Sequence, residues 1–266
     1  MAKQNASQDR NFDDLAGRFK KNIYGGLKGA VRLAVLQRDF SECIPHVLAA
    51  TTPLRILDAG GGQGQFSLTL AKAGHQVVLC DISAEMLKLA REQVDSAGLQ
   101  QQVTLVHCGI QTLAQHLADD QFDLVLCHAV MEWMAEPQSL LPCLLQYLKP
   151  GGWLSLTYYN RHSLIFKNLL RTNFKKITAQ DFGGAKGSLT PINPLVPEQV
   201  DTWLEDLPLT VMARSGIRVF HDYILDGQQR ERSPDELIAL ELLFSRQEPY
   251  RSLGRYIHII GEKTGD

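Results

Sequence analysis

At 266 residues, with 44% hydrophobic and 21% charged side chains, the chain has the composition of one ordinary globular domain with room for an elaborated edge. A formal net charge of −2 gives no strong field of either sign, so overall charge selects neither a nucleic-acid nor a membrane partner, though it leaves room for a local basic patch. No apolar run reaches the length of a membrane span, and the polar residues 1–8 lack a signal-peptide core. The five cysteines, Cys43, Cys80, Cys108, Cys127 and Cys143, form no C-x-x-C pair and no zinc-like grouping with histidine. Reduced thiols in a cytoplasmic protein, with no membrane contact and no metal, are therefore expected.

In chain order, residues 1–10 are expected to be unstructured. Residues 11–21 have the spacing of a short amphipathic helix, with Phe12, Leu15, Ala16 and Phe19 on one side. Asn22-Ile23-Tyr24-Gly25-Gly26 breaks it, and a longer helix is expected from 27 to about 48, which Pro45 can kink or end early. Arg32 lies near the start of that helix, where spacing alone fits a solvated face as well as a site.

Residues 54–159 alternate between strands and helices. The strands read as 54–59, 76–82, 103–108, 122–128 and 153–159, and the helices as about 64–73, 83–97, 111–118 and 136–147. Ser83 is a natural N-cap, and Pro150-Gly151-Gly152 reads as the turn before the fifth strand. Alternation with short connections specifies a parallel sheet with helices on both faces. Ligands of such sheets bind beyond the carboxyl ends of the strands.

The first strand ends in Asp58-Ala59-Gly60-Gly61-Gly62-Gln63-Gly64. Glycines there admit positive φ and let the backbone approach a ligand closely. The dinucleotide fingerprint G-x-G-x-x-G is not met, because Gln65 stands at its third glycine. The second strand ends in Asp81, placed to accept both hydroxyls of an adenosine ribose. The other strand ends put forward Gly109-Ile110-Gln111, His128 and Tyr158-Tyr159-Asn160-Arg161. Gln111 suits an adenine edge or a helix cap, and His128 suits a cofactor contact or a backbone hydrogen bond.

Beyond residue 160 comes a long connection to 196, turn-rich from 178 to 197. Between 161 and 186 it holds Arg161, Lys167, Arg171, Lys175, Lys176 and Lys186 against the single acid Asp181. A solvated helix would look the same, but the contrast with an acidic whole points towards a phosphate-contacting surface. A helix carrying Trp203 and Leu204, a strand over 209–220, a helix over 234–245 and a strand over 256–260 complete the chain. Arg218, His221, Asp222 and Tyr223 gather at the end of the first of these strands.

The spacing D-x-G-x-G-x-G from Asp58 to Gly64 resembles the first motif of class I S-adenosylmethionine-dependent methyltransferases. A more specific resemblance rests on Asp9-Arg10-Asn11-Phe12-Asp13-Asp14, Asn22-Ile23-Tyr24-Gly25, His128-Ala129-Val130-Met131-Glu132-Trp133, Gly216-Ile217-Arg218-Val219-Phe220-His221-Asp222-Tyr223, Arg246-Gln247-Glu248-Pro249-Tyr250 and Leu253-Gly254-Arg255-Tyr256-Ile257-His258. From about residue 9 to 263 these stretches are similar to the bacterial tRNA 5-carboxymethoxyuridine methyltransferases. The resemblance implies an α/β, Rossmann-like fold with a mostly parallel seven-stranded sheet, helices on both faces and an antiparallel edge hairpin made by the last strands. It implies lid helices over 11–50, a cofactor core over 51–160, and a substrate-side insertion and edge of the same domain over 161–266.

The resemblance also implies S-adenosyl-L-methionine held by Arg32, Gly60, Gly61, Asp81, Ile110, Gln111 and His128. The partner it implies is a tRNA anticodon stem-loop, whose 5-carboxymethoxyuridine at wobble position 34 would become a methyl ester. A carboxylate is already ionised at neutral pH, so no acid/base catalyst is expected. Tyr159, Arg161, Arg218, His221, Tyr223 and Arg255 are the candidates for holding it. Two other readings stay open at this level: a methyltransferase for a small carboxylic acid, and a cofactor-binding regulator without catalysis.

Overall fold

The computed structural model describes residues 9–14, 26–49, 52–117, 121–184 and 189–265. Seven strands make one sheet: β1 (Arg55–Ala59), β2 (Gln76–Asp81), β3 (Val103–His107), β4 (Phe122–His128), β5 (Leu148–Tyr159), β6 (Leu209–Ile217) and β7 (Tyr256–Lys263). Their order is β3-β2-β1-β4-β5-β7-β6. The first five pair in parallel, and β7 lies antiparallel between β5 and β6. This is the mostly parallel sheet with an antiparallel edge pair that the sequence leads one to expect.

The helices are α1 (Gly26–Cys43), α2 (Ser67–Lys72), α3 (Ala84–Ala97), α4 (Leu140–Leu145), α5 (Arg161–Leu170), α6 (Phe174–Thr178), α7 (Pro197–Glu205), α8 (Gly227–Arg230) and α9 (Pro234–Phe244). Adjacent strand residues point to opposite faces, so each face has its own core. Leu57, Val125 and Ile259 pack with α4 and α7 residues such as Leu141, Leu144, Val200 and Leu204. Ile56, Leu124 and Ile260 pack with Val35, Leu36 and Phe40 of α1 and with Leu70 and Ala90 of α2 and α3. Phe40 is fully buried, worth about 1.5–3 kcal/mol against exposure. α3 is capped as expected: Ser83 Oγ accepts from the Met86 amide at 3.2 Å, and Gly98 closes it with φ +69°.

Several boundaries differ from expectation. α1 stops at Cys43, and Pro45–Val47 forms a 3-10 turn instead of further helix. In place of a helix over 111–118 there is a 3-10 helix, Ile110–Gln115. The helix expected over 136–147 splits into a 3-10 turn, Pro137–Ser139, and α4. The split keeps Pro142 in the first turn of α4, where its missing N–H costs nothing. Pro150-Gly151-Gly152 lies inside β5, where the register shift between Phe122 and Leu124 accommodates it. β6 ends at Ile217 because Arg218 turns left-handed at φ 60°, and the next three amides donate to the Glu241 carboxylate at 2.6–3.0 Å.

Residues 11–12 are irregular and 13–14 lie in a turn, and the remainder of the helix expected over 11–21 lies outside the described residues, as do residues 1–8 and Lys186.

Candidate active site

The strand order reverses between β1 and β4, and a crevice opens at such a reversal beyond the strand ends. A cavity of about 780 Å³ lies there, bordered by Gly60, Asp81, Ile110, Gln111, His128 and Trp133. A second compartment of about 360 Å³ shares Gly60 and His128 with the first and adds Arg32, Asp58, Gly61 and Phe66. All seven predicted cofactor residues therefore border one or both compartments: six come from the ends of β1, β2, β3 and β4, and Arg32 reaches the second compartment from α1. The amides of Gly60 and Gly61 donate to the Cys80 carbonyl at 2.9 and 3.1 Å, which folds the glycine loop back on β2.

Asp81 accepts the Gly62 amide on Oδ2 and the Ser83 amide on Oδ1, both at 2.8 Å, so each oxygen keeps a lone pair for another donor. Burial raises its pKa against those two hydrogen bonds. Burial likewise pushes the Asp58 carboxyl, beneath the glycine loop, up to about 7, against a hydrogen bond from Ser67.

The stretch 9–14 straps the first compartment. Gln111 Nε2 donates to Asp9 Oδ2 at 2.6 Å, and the Ala135 amide donates to Asp9 Oδ1 at 2.9 Å. The Arg10 amide donates to the Trp133 carbonyl at 3.0 Å, Phe12 meets the Trp133 ring edge-on at 4.6 Å, and Ser83 Oγ donates to Asp13 at 2.7 Å. Asp9 and Arg10, at the end of the stretch expected to be unstructured, thus touch the site directly.

A cation cluster lies where β5 and β6 end and β7 begins. Asp222, 4% exposed, takes Lys167 Nζ at 3.1 Å, Arg255 Nε at 3.2 Å and Arg218 Nε at 3.3 Å. Burial would raise its pKa, but Arg218, His221, Arg255 and Lys167 hold it well below the ordinary carboxylate range. Burial pushes Lys167 down to about 8 against the pull of Asp222. Arg255 Nη1 donates to Tyr159 Oη at 3.0 Å, and Tyr223 Oη bonds Ser163 Oγ at 2.8 Å and the Leu253 carbonyl. Tyr256 joins the cluster to the cleft, with Arg32 over its ring at 4.3 Å and Arg218 at 5.4 Å.

Five of the six substrate candidates, Tyr159, Arg218, His221, Tyr223 and Arg255, are brought together here. Among the described residues neither ring nitrogen of buried His221 has a hydrogen-bond partner, and its Nδ1 is 3.9 Å from Asp222. Arg161 is not in the cluster: its Nε donates to the Pro194 carbonyl at 3.0 Å, and it borders a separate cavity with Gln199 and Trp203. Sequence reasoning passed over Lys167 and Asp222 as site residues. The i, i+4 spacing of Arg218 and Asp222 was the local hint.

The methyltransferase domain family matches residues 57–156. The tRNA 5-carboxymethoxyuridine methyltransferase of Escherichia coli (strain K12) is 44% identical over 258 residues, 96% of this chain and 97% of that protein. The chain belongs to the tRNA 5-carboxymethoxyuridine methyltransferase family. A ubiquinone biosynthesis O-methyltransferase of Ruegeria pomeroyi (strain ATCC 700808 / DSM 15171 / DSS-3) is 37% identical over 134 residues, 49% of this chain and 52% of that protein. Among solved structures, the magnesium protoporphyrin IX methyltransferase from Synechocystis PCC 6803, with bound SAH, has a TM-score of 0.60 at 17% identity, covering 95% of this chain and 96% of that one. The plantazolicin methyltransferase BpumL has a TM-score of 0.58 at 16% identity, covering 95% of this chain and 91% of that one. Both share the fold.

For this tRNA 5-carboxymethoxyuridine methyltransferase family member, the residues present fit S-adenosylmethionine. A Cβ at Gly60, whose φ is +71°, would sit 2.5 Å from Val130, and one at Gly61 would sit 2.5 Å from the Asp58 carboxyl, so the glycine cradle has no room for side chains. Two compartments that share Gly60 and His128 as lining suit a nucleoside in one and an amino acid in the other. Asp81 would hold the ribose hydroxyls, Ile110 and Gln111 the base, and Arg32 the carboxylate. Ala129, at the cleft, sits at φ 60°, a strained backbone of the kind that collects at functional sites.

Proposed function

We propose that this protein methylates the carboxylate of 5-carboxymethoxyuridine at wobble position 34 of tRNA, forming the methyl ester. The observation that carries the reading is the cluster of Arg218, Arg255 and Lys167 on the single carboxylate Asp222, joined through Tyr256 to the Arg32 side of the cofactor cleft. Three cations on one acid leave an excess of positive charge that a substrate carboxylate complements.

S-adenosylmethionine supplies an electrophilic methyl group on a sulfonium and departs as a neutral thioether. The substrate carboxylate is ionised at neutral pH, so the protein need supply no general base. Its work is placement and exclusion of water. Arg255, fixed between Asp222 and Tyr159, and Arg218 orient the carboxylate. Because each guanidinium is already shared with Asp222, it engages the substrate less tightly and leaves one oxygen nucleophilic.

The same reading gives the basic connection a role. At the corner of α5 and α6, Leu169, Leu170 and Phe174 are 48%, 40% and 57% exposed, and Arg171 and Lys175 beside them are exposed too. Exposed aromatic surface framed by cations suits unstacked bases and phosphates of an anticodon loop. Lys167 of α5 reaches Asp222, so one helix spans from this corner to the cation cluster. A tRNA substrate also places the enzyme in the cytoplasm.

The test is to incubate the protein with S-adenosylmethionine and tRNA carrying the unesterified wobble acid, then weigh the digested nucleosides. A gain of one methylene on that nucleoside alone is expected. No gain from protein shown to bind the cofactor, or methylation of small acids without tRNA, overturns the proposal.

A further inference from the structure

A buried chain of hydrogen bonds runs from the cofactor cleft through the sheet to α1. His128 Nε2 is 2.8 Å from Ser155 Oγ, Ser155 Oγ is 2.9 Å from His258 Nε2, and His258 Nδ1 is 2.7 Å from Asp39 Oδ2. Ser155 and Asp39 are fully buried and His258 is 1% exposed. At the far end, Asp39 Oδ1 accepts from Arg38 Nε at 2.8 Å, from Ser215 Oγ at 2.9 Å and from Arg246, which also pairs with Glu42. At the near end, His128 borders both cofactor compartments, and among the described residues its Nδ1 has no hydrogen-bond partner.

The directions of these bonds follow from chemistry. Asp39 is ionised: burial pushes its carboxyl up, but the His258 hydrogen bond, Arg38 and Ser215 more than offset that. An ionised carboxylate only accepts, so His258 Nδ1 carries a proton. Two guanidinium groups, Arg38 and Arg246, already face two carboxylates, Asp39 and Glu42. The ring form of His258 that adds no further buried cation beside Arg38 and Arg246 leaves Nε2 as an acceptor, and the bond directions are assigned on that form. Ser155 then donates to His258 and accepts from His128 Nε2. Enclosure above all holds the His128 ring well below its ordinary pKa, so it is neutral as well.

We propose that Asp39, His258 and Ser155 are positioning residues that fix the tautomer of His128, with the proton on Nε2 and the Nδ1 lone pair facing the cofactor. The ligand group this selects is a donor, and on an amino-acid cofactor that donor is the α-ammonium. The inference rests on the cleft being the S-adenosylmethionine site, but not on tRNA being the substrate. Reversing the chain would put a proton on Nδ1 and oppose donor against donor. The Ser-His-Asp hydrolases show the same logic, where an acid-to-amide change leaves the geometry and spoils the tautomer.

The test reads the tautomer without ligand. In cofactor-free protein labelled with 15N-histidine, His128 is expected to show a protonated Nε2 and an unprotonated Nδ1. In Asp39→Asn the amide can donate to His258 Nδ1, and the His128 proton is expected to move to Nδ1. Ser155→Ala, a small change inside a strand, uncouples the chain and is expected to give a mixture of tautomers; it decides the matter if Asp39→Asn does not fold. By calorimetry, S-adenosylmethionine affinity is expected to fall about ten- to a hundredfold in Asp39→Asn, with a smaller fall in Ser155→Ala. 5′-Methylthioadenosine, which lacks the ammonium, should bind all three proteins alike.

An Nδ1-protonated His128 in the wild type, a tautomer unmoved by either substitution, or equal losses for both ligands would overturn the proposal. Failure of the wild type to bind S-adenosylmethionine, with the tautomers as expected, would instead overturn the reading of the cleft.

Discussion

The two ends of this active site are held by different parts of the chain. On the cofactor side the work is done by main chain: the amides of Gly60, Gly61, Gly62 and Ser83 fix the glycine loop and Asp81 to one another. All of these groups fall within the strand-helix-strand unit β1-α2-β2 and the turn that follows it. On the side proposed for the substrate the work is done by long side chains. Lys167, Arg218, Asp222 and Arg255 come from a helix, a strand end, a 3-10 turn and the approach to the last strand. The difference teaches where each end is fragile. A backbone cradle fails when a side chain is added to it, and a charge cluster fails when one is taken away.

The largest expected effect is therefore Asp222→Ala. It leaves three cations facing one another without their acid, and removing one member of a buried ion pair costs about 3–5 kcal/mol. Urea unfolding should show that loss. A loss below about 1 kcal/mol would mean that Asp222 does not organise the cluster. Gly61→Ala is the matching change on the other side. Its Cβ would meet the Asp58 carboxyl at 2.5 Å, and overpacking of this kind costs about 1–3 kcal/mol. Because the displaced atoms line the cleft, S-adenosylmethionine affinity should fall while the cation cluster is untouched. Unchanged affinity by calorimetry would remove the main-chain half of the contrast. Phe174→Ala tests the corner that bears on tRNA. Loss of one stacking platform should weaken tRNA binding by about 1–3 kcal/mol, with Tm and cofactor affinity unchanged because Phe174 is 57% exposed. Equal tRNA affinity in a filter-binding titration at fixed salt would move the docking surface elsewhere.

The same contrast explains what sequence reading reaches. Glycines 60, 61 and 62 and Asp81 stand out because their role is written in adjacent residues and a regular strand period. The polar chain from His128 to Asp39 cannot be seen that way. It needs the register of β4 on β5, which sets His128 against Thr157, and of β5 on β7, which sets Thr157 against His258. No local pattern specifies those registers. Asp222 could be grouped with Arg218, His221 and Tyr223, but its role could not be seen, because its burial and the approach of Lys167 and Arg255 exist only in the folded chain. Pro150-Gly151-Gly152 misled in the other direction, since turn-forming residues also occur in the irregular start of a strand. Arg161 has a charge suited to the substrate, but its guanidinium is held by the Pro194 carbonyl, a contact across the long connection that only the folded chain reveals.

Glu132 gives the smallest and most specific test, because it lies between the two halves, in the turn after β4. It is fully buried, and among the described residues neither carboxyl oxygen has a hydrogen-bond partner. Burial raises its pKa to about 8, against the pull of the Arg32 charge. The unfolded chain ionises the same group near an ordinary value of about 4.3. Between those two values the folded protein binds a proton that the unfolded protein has released. Stability is thus lost as pH rises through that window, and the contribution is favourable only below it. Glu132→Gln removes the titration and keeps the shape. At pH 4.5 its Tm should differ little from wild type apart from a constant offset. From there to pH 8 the difference should move steadily in favour of the variant, by at least about 1 kcal/mol, or about 2–4 °C. A difference that does not change with pH would mean that Glu132 is ionised in the folded protein. It would then serve as a standing counter-ion to Arg32, and the charge excess facing the substrate would be smaller by one.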